Sequence, residues 1–357
     1  MISRCKNLFR SLAWPPYSRL FLEDDGENWV LRWEILALES IAASLGVRTV
    51  RAPASGVRNQ SVFYSTKYIL ADPEPFLQNG RRVGLSYFHG YPDTGGDIAR
   101  TCYENLRKHH HRIRRIQASH VYMRDLILET GIDPAKVHLI PIGNNPDFFR
   151  PQTAQSKGEA REKYDIPRQA VVLGSFQKDG KGFGDGMDPK PIKGPDVFLE
   201  TAALMKHTVP ELFVFLSGPA RGYVKKGLEE LGIPYRHVYL EDYPAIGELF
   251  QCLDLYLVSS REEGGPKAIL ESMASGVPIV STRVGQAVDL IRHGENGFLA
   301  DVEDAEALAH WGLEVLSDSA LRKKCVAAGL ITAAGNSYQA QVPLWRDFFD
   351  GFVEMKP

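Results

Sequence analysis

The chain has 357 residues, of which 44% are hydrophobic and 24% charged, with a formal net charge of −2. That length suits two domains of about 100–200 residues each, and the balance is that of a globular chain: no apolar run approaches the ~18–20 residues that a membrane-spanning helix needs. The small net charge points to no partner by itself, so local clusters carry more weight than the total.

At the N-terminus, Arg4, Lys6 and Arg10 precede or interrupt the apolar run 8–14, and Pro15-Pro16 ends it, which is a poor core for a signal peptide. The four cysteines (Cys5, Cys102, Cys252, Cys325) show no Cys-x-x-Cys or Cys/His metal spacing and fit reduced thiols in a cytoplasmic protein. From about Glu34 onward, helical patterns alternate with short apolar runs, the signature of parallel α/β architecture. Residues 33–45 predict a helix, 47–50 a strand, 82–88 a strand ending at His89-Gly90, and 98–115 a long helix. A strand at 116–120, a helix at 122–130 stopped by Gly131, and a strand at 137–141 complete a Rossmann-like first half.

Pro146, Pro151 and the polar run 152–157 then break the pattern, placing a linker near 149–159. The expected domains are 1–150, 151–340, and a final helix 341–357 that docks on the first domain through Trp345, Phe348, Phe349 and Phe352. In the second domain, strands are predicted at 170–176, 212–217, 237–240, 253–258 and 277–282. Helices are predicted at 195–206, 223–231, 243–252, 266–275 and 304–317. The apolar runs are continuous rather than alternating, as in strands covered on both faces. An insertion at 178–191 is rich in glycine and charge; its spacing from Gly174 is one residue too long for a Walker loop, and Gly182 stands where Ser or Thr should bind magnesium. A flexible surface loop beside a site is the expectation there.

The most informative string is Ser259-Ser260-Arg261-Glu262-Glu263-Gly264-Gly265-Pro266-Lys267-Ala268-Ile269-Leu270-Glu271. It leaves a buried strand, and ligands of parallel sheets gather at the carboxyl ends of strands. Pro266 suits the first turn of a helix, while Gly264-Gly265 allow close backbone approach and present N–H groups at the positive end of its dipole, a cradle for a diphosphate. Glu271, five residues on, would lie ~7.5 Å along the helix, placed to accept hydrogen bonds from both ribose hydroxyls. Glu263, on the other side of the cradle, would reach the hydroxyls of a sugar. Two solvated surface acids would need no ligand, but this spacing matches the length of a nucleoside-diphosphate sugar.

With Ser272-Met273-Ala274-Ser275-Gly276-Val277-Pro278-Ile279-Val280 after it, the string closely resembles the Glu-x7-Glu signature of retaining GT-B glycosyltransferases, family 4 especially. The likeness continues through Gly285, Leu290-Ile291, Gly294, Asn296-Gly297 and Phe298-Leu299 and covers roughly 86–316. It implies an α/β GT-B fold: two Rossmann-like domains facing across a cleft, with the C-terminal helix crossing back to the first. Lys193-Gly194-Pro195-Asp196-Val197-Phe198 resembles the family's Lys-Gly helix start, whose lysine binds the donor diphosphate. Lys178 stands near the position of a family arginine, keeping the charge without the bidentate fork. His89 resembles the strand-end histidine that contacts the donor sugar, and Gly218, after the strand at 212–217, joins the donor-binding set.

The resemblance thus implies catalytic roles for His89, Glu263, Lys193 and Lys178, and donor binding by Gly218, Glu263, Gly264, Gly265, Pro266, Glu271, Lys193 and Lys178. It also implies no metal and no cofactor, with a UDP- or GDP-linked sugar as co-substrate and lysines and helix dipole stabilising the leaving diphosphate. Glu23-Asp24-Asp25 is accordingly expected to be a loop and not a metal site. The implied reaction moves a sugar, with retention, to a hydroxyl of a glycan or lipid-linked acceptor in bacterial cell-surface polysaccharide or glycolipid synthesis. A UDP-sugar epimerase on the same scaffold and an inactive nucleotide-sugar-binding protein are the alternatives. Departures occur at Gly143-Asn144-Asn145-Pro146-Asp147-Phe148 and after Leu20-Phe21-Leu22, where the family's Gly-Gly loop is missing, so the acceptor stays unspecified. The basic run 107–115 and the N-terminal basic set are either solvated or make peripheral contact with an anionic membrane at its inner face; no nucleic-acid motif accompanies them.

Overall fold

Among the described residues every strand pairing is parallel, and the strands form two six-stranded sheets. The computed structural model describes residues 14–23, 30–54, 56–182 and 184–356, without the side chains of Val30 and Leu31. The expectations for Arg4, Lys6 and Arg10, for Cys5, and for Asp24-Asp25 lie outside the described residues.

The first sheet holds β1 (Leu20–Glu23), β2 (Thr49–Arg51), β3 (Ser61–Tyr64), β4 (Arg82–Tyr87), β5 (Ile113–Ala118) and β6 (Val137–Leu139), in the order β2-β1-β3-β4-β5-β6. Helices α1 (Val30–Ser44), α2 (Gly96–His109) and α3 (Val121–Leu128) connect them. The second sheet holds β7 (Val171–Phe176), β8 (Leu212–Ser217), β9 (Tyr235–Val238), β10 (Leu255–Val258), β11 (Ile279–Thr282) and β12 (Phe298–Ala300), in the order β12-β11-β10-β7-β8-β9. Its helices are α4 (Ala154–Lys163), α5 (Pro195–Thr208), α6 (Gly222–Glu230), α7 (Ile246–Phe250), α8 (Ala268–Ala274), α9 (Ala287–Leu290), α10 (Ala305–Ser317) and α11 (Ser319–Gly335). Because helices cover both faces of a parallel sheet, β8, β10 and β11 are buried along their whole length, which is why their sequences are continuous apolar runs.

The last helix, α12 (Val342–Phe349), leaves the second domain and packs on the first. Trp345, Phe348, Phe349 and Phe352 are buried against Leu20, Leu22 and Phe63 of β1 and β3 and Ile35 and Leu38 of α1. Arg115 of β5 secures the crossing, its guanidinium donating to the Phe348 carbonyl at 3.0 Å and the Asp350 carbonyl at 2.6 Å.

Two local expectations change. The helix expected over 98–115 ends at His109, residues His110–Arg112 form a 3-10 turn, and Ile113 opens β5 because Ile113, Ile116 and Ala118 fill the core of the first sheet. The basic run is therefore divided among a helix end, a turn and a strand instead of forming one helical face. The expected linker contains the start of α4: Thr153 and Ser156 cap it reciprocally, with 3.0 Å and 2.9 Å bonds, and buried Arg161 ties it to Asp254 at 2.6 Å.

Candidate active site

In the second sheet the strand order reverses between β7 and β10, and a parallel sheet opens its ligand crevice at such a switch point, outside the carboxyl ends of the strands. The residues leaving β7 and β10 therefore meet there. Gly194 starts α5 in the left-handed region, φ 57°, and passes so close to β10 that a Cβ would sit 1.9 Å from the Ser259 carbonyl oxygen. This glycine brings Lys193 beside the β10 exit: its Nζ lies 2.5 Å from Glu263 Oε1, which also accepts from Ser260 Oγ at 2.8 Å. The other carboxylate oxygen of Glu263 carries no hydrogen bond among the described residues.

The insertion after β7 is anchored, in contrast to the flexible surface loop expected. Asp179 and Arg221 are fully buried, 3.0 Å apart. The Arg221 guanidinium donates to the carbonyls of Ser175 (2.6 Å), Gln177 (3.1 Å) and Ser217 (2.8 Å), gathering the exits of β7 and β8 around one charge. Bonds from Lys190 N to the Asp179 carbonyl (2.7 Å) and from Lys181 N to the Asp188 carbonyl (2.8 Å) close the loop on itself. Gly186 reaches Ala220 so tightly that a Cβ would lie 2.1 Å from its carbonyl oxygen, and Gly218, φ 98°, crosses the Gln177 carbonyl with a corresponding 2.6 Å.

This closure brings Lys190 into the same electrostatic neighbourhood as Lys178, Lys193 and Glu263. Burial, followed by the Lys193 charge, pushes the Lys190 amine below its usual range. Sequence reasoning missed Lys190. The available signal was its place at the end of the insertion, three residues before Lys193.

The first domain meets this crevice through the β4 exit. His89 opens to solvent at the cleft but is enclosed enough, with Lys67 adding positive charge, for its imidazole to be pushed down to about 4. It also feels Glu263, Lys193 and Glu262 from the other domain. Buried Lys67 donates from below to the carbonyls of His89 and Gly90, the latter at 3.0 Å, and sits 4.6 Å over the Tyr87 ring. Burial lowers this amine to about 8. From the opposite side, Glu262 accepts from Gly90 N at 2.9 Å and Thr94 Oγ1 at 2.7 Å. The two adjacent glutamates therefore do different things: Glu263 faces the lysines, and Glu262 grips the other domain.

Gly264 and Gly265 have a steric role between the domains. A Cβ on Gly264 would lie 2.6 Å from the Phe88 carbonyl oxygen, and one on Gly265 2.6 Å from Ile142 Cδ1, so both glycines let the domains touch. Ser119 Oγ donates to the Gly264 carbonyl at 2.7 Å, and Gln286 Oε1 accepts from Ile142 N at 2.9 Å. Pro266 precedes α8, which begins at Ala268 and not at Pro266 as expected, so Glu271 falls in its first turn. With only seven residues, α8 offers a modest dipole, leaving most of any anion stabilisation to the lysines.

Glu271 is buried and accepts from the Tyr243 hydroxyl. Burial raises its carboxyl above the ordinary range, opposed by the nearby Lys267 charge and the Tyr243 bond. Lys267 is itself tied to the first domain, 2.5 Å from Glu34 Oε1, and also donates to the Tyr338 hydroxyl at 2.8 Å. The structure thus brings His89, Lys193 and Glu263 together at the crevice and puts Lys178 two residues past the end of β7, while Glu271 stands one step behind, in an interdomain polar cluster. Among the described residues, no group of three or more His, Cys, Asp or Glu side chains is placed to hold a metal ion.

Two parallel α/β domains with a returning C-terminal helix define the GT-B fold, and solved structures similar to this one share it. The Anabaena protein Alr3699/HepE, in complex with UDP and glucose, aligns with a TM-score of 0.74 over 94% of this chain and 99% of its own, at 14% identity. Sucrose-phosphate synthase of Thermosynechococcus elongatus aligns with a TM-score of 0.73 over 93% and 100%, at 15% identity. Residues 189–330 match the family described as Glycosyl transferases group 1, a span that contains Lys190, Lys193, Glu263 and Glu271. Among curated relatives, D-inositol 3-phosphate glycosyltransferase of Thermomonospora curvata is 31% identical over 230 residues, 59% of this chain and 50% of its own. N-acetyl-alpha-D-glucosaminyl L-malate synthase of Bacillus anthracis is 30% identical over 128 residues, 36% of this chain and 34% of its own. The chain thus spans about half or less of the length of these relatives. No helix among the described residues is long and apolar enough to cross a membrane.

Proposed function

We propose that this chain is a retaining glycosyltransferase that takes a UDP- or GDP-linked sugar and passes the sugar to a hydroxyl of a glycan or lipid-linked acceptor. The observation that carries this reading is the Lys193–Glu263 ion pair, 2.5 Å, at the switch point of the second sheet, with Lys190 closing the insertion just before Lys193 and Glu271 on the next helix. The match of 189–330 to group 1 glycosyltransferases and the UDP held by the Anabaena neighbour support it.

In this reading the diphosphate lies among the ammonium groups of Lys178, Lys190 and Lys193, which offset the charge that builds as it leaves. Its arrival displaces Lys193 from Glu263, freeing that carboxylate for the sugar hydroxyls. Glu271 exchanges the Tyr243 hydroxyl for those of the ribose. His89, neutral near pH 7 because its imidazole is pushed down to about 4, completes the sugar pocket as a hydrogen-bonding group instead of a cation. The acceptor oxygen attacks the anomeric carbon from the face the diphosphate leaves. The new C–O bond forms as the carbon–phosphate oxygen bond breaks, and the acceptor proton passes to the departing phosphate. No protein nucleophile takes part.

The reading assigns charge neutralisation to the lysines and needs no metal, and places the protein in the bacterial cytoplasm, in surface polysaccharide or glycolipid synthesis. Incubation with a panel of UDP- and GDP-sugars, hydroxyl acceptors and EDTA tests it, with NMR of the product's anomeric configuration. Transfer with retention that survives EDTA is expected. Conversion of donor without acceptor would instead identify an epimerase, and donor binding without turnover an inactive binder.

A further inference from the structure

At the end of the first sheet remote from the cleft, where β4 and β5 begin, lies a cavity of about 280 Å³ whose lining includes Arg81, Arg82, His111, Arg112, Arg114 and Lys136. No carboxylate lines it. One cation, Arg112, is paired with an acid, Glu74, at 2.8 Å. Arg81 and Arg82 are held in place by neutral groups: Arg81 donates to the Val57 carbonyl at 2.8 Å and the Ala54 carbonyl at 2.5 Å, and Arg82 to that of Phe352 at 3.2 Å while lying 3.7 Å over the Tyr17 ring. Carbonyls and rings satisfy donors without cancelling charge. The Arg114 guanidinium and the His111 ring nitrogens make no hydrogen bond among the described residues, and Lys136 makes a long one, 3.4 Å, to the His110 carbonyl.

Cations near the end of α2 have an ordinary explanation, since they complement the carbonyls of its last turn. That explanation reaches residues 107–109 but not Arg81, Arg82, Arg114 or Lys136, which come from the starts of β4 and β5 and the turn before β6. Four elements thus converge positive charge on one concave site, with its outer donors uncommitted.

We propose that this cavity binds a phosphate or diphosphate group, with Arg114, Lys136 and His111 donating to its oxygens and Arg81 and Arg82 supplying fixed positive charge behind them. The site is separate from the reaction centre. β4 runs six residues from Arg82 to Tyr87, roughly 17 Å at about 3.3 Å per step, and His89 lies beyond its far end. The group bound here is therefore not the diphosphate leaving the donor; it is an anchor for a second phosphorylated ligand, either soluble or the headgroup of a lipid.

The test uses the full chain carrying Lys190→Ala and Lys193→Ala, so that the cleft has lost two of its cations. Inorganic pyrophosphate titrated by calorimetry at low salt should bind one per chain. Adding Arg114→Glu and Lys136→Glu should weaken it about tenfold or more, the scale of losing charge-assisted hydrogen bonds. Flotation with phosphatidylglycerol vesicles, against phosphatidylcholine, forms the second arm. Pyrophosphate binding that depends on Arg114 and Lys136 indicates a soluble ligand; vesicle binding alone with the same dependence indicates a lipid headgroup. Failure of both probes, or binding unchanged by the charge reversal in a chain of unaltered melting temperature, would overturn the proposal. If reversal unfolds the chain, Arg114→Gln with Lys136→Gln gives the same reading.

Discussion

Replacing Asp179 by alanine should both destabilise the second domain and weaken nucleotide binding, because this one carboxylate is the counter-ion of a guanidinium at the root of the site. Asp179 and Arg221 are each fully buried and 3.0 Å apart. Removing one partner of such a pair strands a charge in the interior, which costs about 3–5 kcal/mol. At an m-value of about 3 kcal/mol per M, the urea midpoint of that domain would fall by roughly 1–1.7 M. The double variant Asp179→Ala/Arg221→Met removes both charges and should recover more than half of that loss, since an apolar pair carries no desolvation penalty. It should not recover nucleotide affinity. Arg221 gathers the carbonyls of Ser175, Gln177 and Ser217, and without it the β7 exit and the loop bearing Lys178 and Lys190 lose their anchor. UDP binding by calorimetry should weaken about tenfold in both variants. An Asp179→Ala chain within about 1 kcal/mol of the parent, or a folded double variant with unchanged UDP affinity, would refute this reasoning.

Two further predictions concern the first domain. Glu262→Gln, which weakens the hold on Gly90 and Thr94, and Lys67→Met, which removes the donor beneath His89, should each lower kcat about tenfold while leaving donor KM within about twofold, checked by steady-state kinetics. A change confined to KM would place these residues in donor binding instead. Burial holds His120 at about 4, while its Nδ1 accepts from Met123 N to cap α3 at 3.4 Å. Between about pH 6.5 and 4 the unfolded chain binds the extra proton, so stability present above pH 6.5 is lost as pH falls through that window, by up to about 3 kcal/mol. His120→Asn keeps a capping oxygen and should flatten this part of the pH profile of urea unfolding.

Much of this architecture is visible in the sequence because a parallel sheet covered on both faces demands unbroken apolar strands, and β8, β10 and β11 supply them. In the string from Ser259 to Glu271 the exit from a buried strand into a helix is equally legible, whereas the packing of Gly264 and Gly265 against the first domain is not. What stayed hidden depends on closure in three dimensions. Lys190 belongs to no periodic element and reaches the site because its N–H returns to the Asp179 carbonyl. Lys67 is one lysine among many until two carbonyls at the β4 exit turn toward it. The division of labour between Glu262 and Glu263 is invisible until the other domain is in place. The overlong helix at 98–115 arose because arginine and lysine favour helices, whereas the burial of Ile113 and Ile116 in the sheet decides the matter locally.

The central claim is that a sugar nucleotide lies between the lysines of the second sheet's switch point and the Glu271 carboxylate. Calorimetric titration of UDP- and GDP-glucose into the parent chain, Lys193→Ala and Glu271→Gln tests it most directly. The account predicts one site per chain, weakened about tenfold or more by each substitution, with Lys193→Ala weakening free pyrophosphate in the cleft as well and Glu271→Gln sparing it. Nucleotide-sugar binding indifferent to both substitutions would contradict it.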